Sequence, residues 1–199
     1  MQRNKWLSCL LLLSLVLLPL LLGGCQEKNY RIQETVVDIS PRPYEERPVV
    51  TVFPFHNLSG MQTIQQETSA SSLVRNRLSE TDRFRVVSGK DVSAKLPEDS
   101  QHKISVGQAI GAARELEAQY AVTGVINNVE IVAENNNTEV KLTTKIQIID
   151  VNSEKVKYSF SPETTASDSS TGENIEKQLL WTVKQEMVNK IVNYTINTI

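Results

Sequence analysis

Few side chains in this 199-residue chain could do chemistry, and their spacing rules out most of it. There are two cysteines, Cys9 and Cys25, and two histidines, His56 and His102. Both histidines sit in polar stretches with no HxH or HxxxH spacing, so no metal site is expected. No GxSxG, P-loop or GxGxxG motif occurs, and the run Gly107 to Gly111 is too bare to cradle a phosphate. Carboxylate pairs such as Glu45 with Glu46 and Glu115 with Glu117 fall where the chain should face water. The apolar stretches that would wall a cleft carry no acid to match them. Without a converging nucleophile, base and metal ligand, the chain is not expected to be an enzyme or to need a cofactor. One basic cluster stands out, Arg75, Arg77, Arg83 and Arg85, interleaved with Glu80 and Asp82. It reads either as a solvated, salt-bridged rim or as a contact for a protein partner.

Cys25 is the residue best placed to react. Arg3 and Lys5 precede an apolar run from Trp6 to Leu22, broken by Ser8, Ser14 and Pro19, and Gly23-Gly24 follow. This is the layout of a secretory signal. The sequence Leu22-Gly23-Gly24-Cys25 resembles the lipobox of bacterial lipoproteins, whose cysteine sulfur takes a diacylglycerol and becomes the first mature residue. A thiolate is nucleophilic enough for that acceptor role, and small neighbours leave the backbone open to a peptidase. The alternative is an uncleaved anchor, since the run is about long enough to span a bilayer. Pro19 and the paired glycines favour the cut. Acyl chains on Cys25 would then hold the protein to a lipid bilayer.

Cys9 leaves with such a leader, so no intrachain disulfide is expected and stability must come from a core. The formal net charge is −2, and it becomes more acidic once Arg3 and Lys5 are removed. With no basic tract, nucleic acid is not an expected partner.

The elements that would carry these residues follow from patterning. Residues 1–24 read as the leader, 25–47 as a polar, proline-bearing tether, and 48–199 as one domain. A short strand is possible at Val36 to Ile39. Val49 to Phe53 is apolar and β-branched, as a central strand should be, and Pro54 ends it. Thr63 with Gln66 suggests a capping box opening a helix to about Ser79. A strand at Phe84 to Val87 and a helical turn at Asp91 to Lys95 come next. Ser105 with Gln108 suggests a second capping box, opening a helix to about Ala118 whose small residues Gly107, Ala109, Gly111, Ala112 and Ala113 allow close approach. Tyr120 to Val125 reads as a central strand, and Asn135 to Asn137 as a hairpin turn. Val140, Leu142, Thr144, Ile146 and Ile148 alternate with period two, and Val156, Tyr158 and Phe160 do so in a closing strand. The stretch SPETTASDSSTGEN reads as a Ser/Thr-rich loop. Ile175, Leu179, Val183, Met187, Ile191 and Tyr194 mark one face of a final amphipathic helix. The fold class expected is α/β: a single domain with a mixed β-sheet packed by helices, plus a C-terminal amphipathic helix.

The blocks VVTVFPFHNLSG, LVRNRLSETDRFRVVSGKDV and SVGQAIGAARELEAQYAVTGVI are similar to LpoB-type lipoproteins, activators of bifunctional penicillin-binding proteins. These belong with the curli secretion lipoprotein CsgG and the flagellar lipoprotein FlgO in one superfamily. The likeness runs from about Val49 to Phe160. It implies a non-enzymatic α/β domain, anchored in the outer membrane and facing the periplasm, that docks on a peptidoglycan synthase (penicillin-binding protein) or another envelope protein. The chain departs from LpoB in its short tether, in KYSFSP after the last expected turn, and in a C-terminal helix that runs past the likeness. The competing expectation is an oligomeric, CsgG-like or flagellum-associated assembly subunit, with homo-oligomers through the last helix. A membrane pore would need more long alternating strands than the chain has.

Overall fold

Three valines in the four residues Val49–Val52 (β1) start the sheet, because β-branched side chains fit a pleated surface buried on both faces. The computed structural model describes residues 40–61, 69–96, 104–135, 137–169 and 174–199. Pro54 interrupts the ladder, and the chain rejoins it as His56–Asn57 (β2). Both segments run parallel to Tyr120–Glu134 (β4). On its other side β1 takes a short parallel partner, Arg85–Val86 (β3). β4 and Asn137–Asp150 (β5) form a long antiparallel hairpin, with Asn135 in the left-handed region at its tip. Lys155–Phe160 (β6) pairs antiparallel with Ile146 to Asp150, and Glu163–Asp168 (β7) with Thr138 to Thr143. β6 and β7 therefore lie end to end along one side of β5. The seven-stranded sheet has the order β3-β1-β4-β5-β6, and the mixed α/β architecture is the one the sequence predicts.

Four helices cover its two faces. Ala70–Glu80 (α1) and Ile175–Thr198 (α4) bury Val74, Leu78, Leu179, Val183, Met187 and Ile191 against Val50, Val52, Val122, Leu142 and Ile146. Gly89–Ala94 (α2) and Val106–Glu115 (α3) cover the opposite face over Phe53, Ala121, Ile149 and Val151. One β-bulge keeps the pattern in step. Val122 and Ile126 face α4, but the next apolar pair, Val129 and Ile131, lies an odd number of residues on. Asn127 is the extra residue of β4 between the pairs Ile126–Thr144 and Asn128–Thr143, and it restores the parity.

Several expectations need correction. The helix now labelled α1 starts at Ala70, where Ser69 accepts from Ser72 N–H at 3.2 Å, and the Thr63–Gln66 box lies outside the described residues. The Ser105–Gln108 box is present in full. Of the small residues of α3 only the alanines are buried, beside Ile110, under the sheet; Gly107 and Gly111 face solvent. β4 runs on to Glu134, nine residues past the central stretch Tyr120 to Val125, because the bulge lets a second alternating run share its ladder.

The expected Ser/Thr-rich loop contains β7. Thr164 turns inward and donates to Val183 O at 3.0 Å, so a strand with little apolar signal is held by pairing and one buried hydroxyl. The last residues of the expected tether lie on the domain rather than off it. Arg42 N–H donates to Asp82 O at 3.1 Å, and a 3₁₀ turn spans Tyr44–Glu46. Cys25 and the possible strand at Val36 lie outside the described residues.

Candidate partner-binding surface

The structure does not gather the four arginines into one open patch. Arg75 is half-buried on α1 and donates to Val52 O at 2.9 Å, closing the C-terminal end of β1. It lies so close over Gly89 that a Cβ there would come within 2.8 Å of Nη1. Burial lowers its pKa from the ordinary arginine value, yet a guanidinium stays charged at any physiological pH. Arg77 is exposed and pairs with Glu80 at 3.2 Å, one turn along the same helix. Arg83 is half-buried. Arg85 donates to Arg47 O at 3.2 Å and lies 5.6 Å from the Tyr44 ring centroid, with Arg47 on the same ring. These contacts fasten β3 and residues 42–47 together.

The opposite edge of the sheet is built differently. In β6, alternation sends Tyr158 and Phe160 to the α4 side of the sheet, and the helix brings Tyr194 against them. Phe160 and Tyr194 have centroids 4.3 Å apart, Tyr158 and Phe160 5.5 Å, and Tyr158 and Tyr194 6.0 Å. Such offset and tilted geometries favour aromatic pairs. Phe160 is the inner member, while Tyr158 and Tyr194 remain 42% and 40% exposed. Val156 is exposed in the same strand, and Lys157 lies 5.1 Å from the Tyr120 ring centroid. Beside the trio, Phe160, Pro162, Lys190 and Tyr194 line a hollow of about 240 Å³. Lys190 is held at its rim by Glu163 O at 2.7 Å and by Glu186.

Sequence patterning put Tyr158 and Phe160 on one face of a closing strand and Tyr194 on the amphipathic face of the last helix, without bringing the three together. The signal for the first two was their spacing, since two aromatics two residues apart share one face of a strand. That the strand is an edge follows only from the sheet order.

A larger hollow, about 450 Å³, opens between the start of α3 (Ile104 to Val106) and the sheet at Thr123, Val125 and Lys145. No acid lines it. Among the described residues there is no group of three His, Cys, Asp or Glu side chains able to hold a metal, and no helix is long and apolar enough to cross a membrane. His56 lies in β2, and His102 is outside the described residues. The surface is suited to docking: apolar rings in water, next to a row of backbone groups at a sheet edge.

The sequence profile described as "Peptidoglycan-synthase activator LpoB" matches residues 30–161, two thirds of the chain. The chain belongs to the LpoB family. LpoB-family membership covers the sheet and α1 to α3 but stops short of β7 and α4. No curated protein matches the sequence.

Among solved structures, the protein CT253 from Chlamydia trachomatis superposes with a TM-score of 0.55 at 14% identity, over 76% of this chain and 97% of that one. A PelC dodecamer subunit from Paraburkholderia phytofirmans gives 0.51 at 18% identity, over 80% and 94%. The C-terminal domain of LpoB from Escherichia coli gives 0.44 at 21% identity, over 59% and 82%. The first two share this fold.

Proposed function

We propose that this LpoB-family protein is a lipid-anchored activator that docks on a bifunctional peptidoglycan synthase of the penicillin-binding protein class. The family match over residues 30–161 carries this reading. Cys25 is the proposed anchor, its sulfur taking a diacylglycerol and residues 1–24 then being cut away before it, with the domain facing the periplasm from the outer membrane. The open aromatic edge supports docking by surface complementarity, because large rings at a rim of hydrogen-bonding groups are the usual anchors of protein interfaces. No catalytic role is assigned to any residue; activation is a change in the partner. The arginines at 75 and 85 serve the proposed reading indirectly, by holding the far side of the sheet, Arg83 is half-buried, and Arg77 is the one of the four exposed to a partner.

The test is crosslinking in living cells, followed by recovery of the tagged lipoprotein, beside a Cys25→Ala form. Recovery of a bifunctional penicillin-binding protein with the wild type, and its loss with Cys25→Ala, is the expected result. A ladder of self-crosslinked multimers with no synthase would replace the activator by an assembly subunit. Flagellar or curli components in the recovered material would do the same.

A further inference from the structure

We propose that β6 is a strand-addition site, and that its occupant is an extended, acid-bearing segment of a second protein. The inference deepens the docking reading above and rests on it only for where the segment is sought. β6 ends the sheet order, so every second residue of Lys155–Phe160 turns its backbone N–H and C=O away from β5. Among the described residues no other strand pairs beyond it. An edge of this kind attracts any extended chain, and proteins blunt it with lysines, prolines or bulges. β6 has all three: Lys155, Lys157 as the bulged residue, and Pro162 just past its end. Yet it also displays Val156 and Tyr158, which a purely defensive edge would not.

The lysines decide who can pair. Acids near the strand are already engaged: Asp150 accepts from Asn152 and Ser153 N–H, Glu154 pairs with Arg114, and Glu163 with Lys141. Glu154 and Glu163 are neutralised by their cations. Neutral N–H donors leave Asp150, opposite Lys155, its charge, so Lys155 and Lys157 against that one carboxylate leave the edge a small positive excess. A second copy of β6 laid antiparallel would add two more lysines within one strand spacing, and like charges across a pair destabilise it. A strand bearing Asp or Glu meets Lys155 and Lys157 with the opposite charge. Its alternate apolar side chains would lie over the rings of Tyr158 and Tyr194. The 240 Å³ hollow at Phe160, Pro162 and Tyr194 is open to one side chain where β6 gives way to β7. Backbone pairing would then supply affinity, and charge and rings the selectivity.

The experiment places a photocrosslinking p-benzoylphenylalanine in the full chain at Ser159. This residue lies mid-β6, on the face away from the rings. A second form carries the probe at Asn76, exposed on α1. Each is irradiated with the bifunctional peptidoglycan synthase purified from the same cells, and in the cells themselves, and the joined peptides are sequenced. Adducts from Ser159 should map to one acid-bearing stretch of the partner. Lys155→Glu with Lys157→Glu should cut their yield about tenfold, while Lys155→Arg with Lys157→Arg keeps it. All these lysine positions are exposed, so the unfolding midpoint should stay put and report a folded variant.

Adducts to β6 of a second copy, to a stretch without acids, or none at Ser159 would overturn the proposal, as would indifference to the charge reversal. Capture of the synthase at Asn76 alone would overturn the strand-addition site and leave the docking reading standing. An acid-bearing stretch of a different envelope protein at Ser159, with no synthase at either position, would support the site and overturn the docking reading.

Discussion

The two edges of the sheet are made from the same polymer and treated in opposite ways. β3 is two residues long, and the segment that precedes β1 folds back beside it. Arg47 joins Asp82 at 2.8 Å and donates through Nε to Arg42 O at 2.8 Å, while Arg85 ties back to Arg47 O. Tyr44, 62% exposed, lies under two guanidinium groups. β6 is six residues long, open along its outer side, and carries aromatic rings that stay half in water. A covered edge protects the fold, whereas an open and apolar one costs solubility and persists where something else covers it. On the proposed reading, the contrast gives stability to one end of the sheet and recognition to the other.

Substitutions at each end put that division to the test. Tyr158→Ala combined with Tyr194→Ala should have the largest effect, weakening partner binding by about 2–3 kcal/mol, as loss of a central aromatic anchor does. The rings are about 40% exposed but touch Phe160, so the unfolding midpoint should fall modestly, and binding is compared on protein that is fully folded. Titration of the partner with both forms, beside thermal melts, would check the pair of statements. Should the double variant unfold early and bind normally once folded, the rings would belong to the core and the comparison would fail.

Arg47→Ala should show the reverse, losing about 1–2 kcal/mol of folding stability as its bonds to Asp82 and to Arg42 O disappear, with binding unchanged. Urea unfolding measures the first part, and the same titration the second. Arg47 is the more buried partner of that ion pair, so its hydrogen bond to the backbone, rather than the surface attraction, should dominate the loss. Thr164→Val, on the inner face of β7, should have the smallest effect, about 1 kcal/mol, since it keeps the shape and removes one buried hydrogen bond to Val183 O. Faster amide exchange confined to β7 and the middle of α4 would sharpen the picture of an edge that continues past Pro162.

Much of the architecture is legible without coordinates. Ser105 and Gln108 announce a helix start because both halves of a capping box are local, and local hydrogen bonds survive any tertiary arrangement. Val140 to Ile148 announce a strand, since period two admits no helical face. β7 was unreadable for the complementary reason: residues such as Thr165 and Ser167 suit a loop equally well, and only pairing with β5 makes them a strand. The site divides the same way. Tyr158 and Phe160 were legible as one face of a strand, but their exposure depends on how α4 sets Tyr194 against them and on no strand among the described residues lying beyond β6.

By itself, the sequence determined most of the element types, the central place of β1 and β4 and the buried stripe of α4. These rest on contacts within a few residues or on the periodicity of apolar side chains. Tertiary structure alone decided which strands stand at the edges, that the arginines at 75 and 85 are fastened to backbone carbonyls, and that three aromatics from β6 and α4 meet. Strand order is set by the lowest free energy of long-range pairings. Residues some 35 positions apart, such as Arg47 and Asp82 or Phe160 and Tyr194, carry no mark of one another until the chain has closed around them.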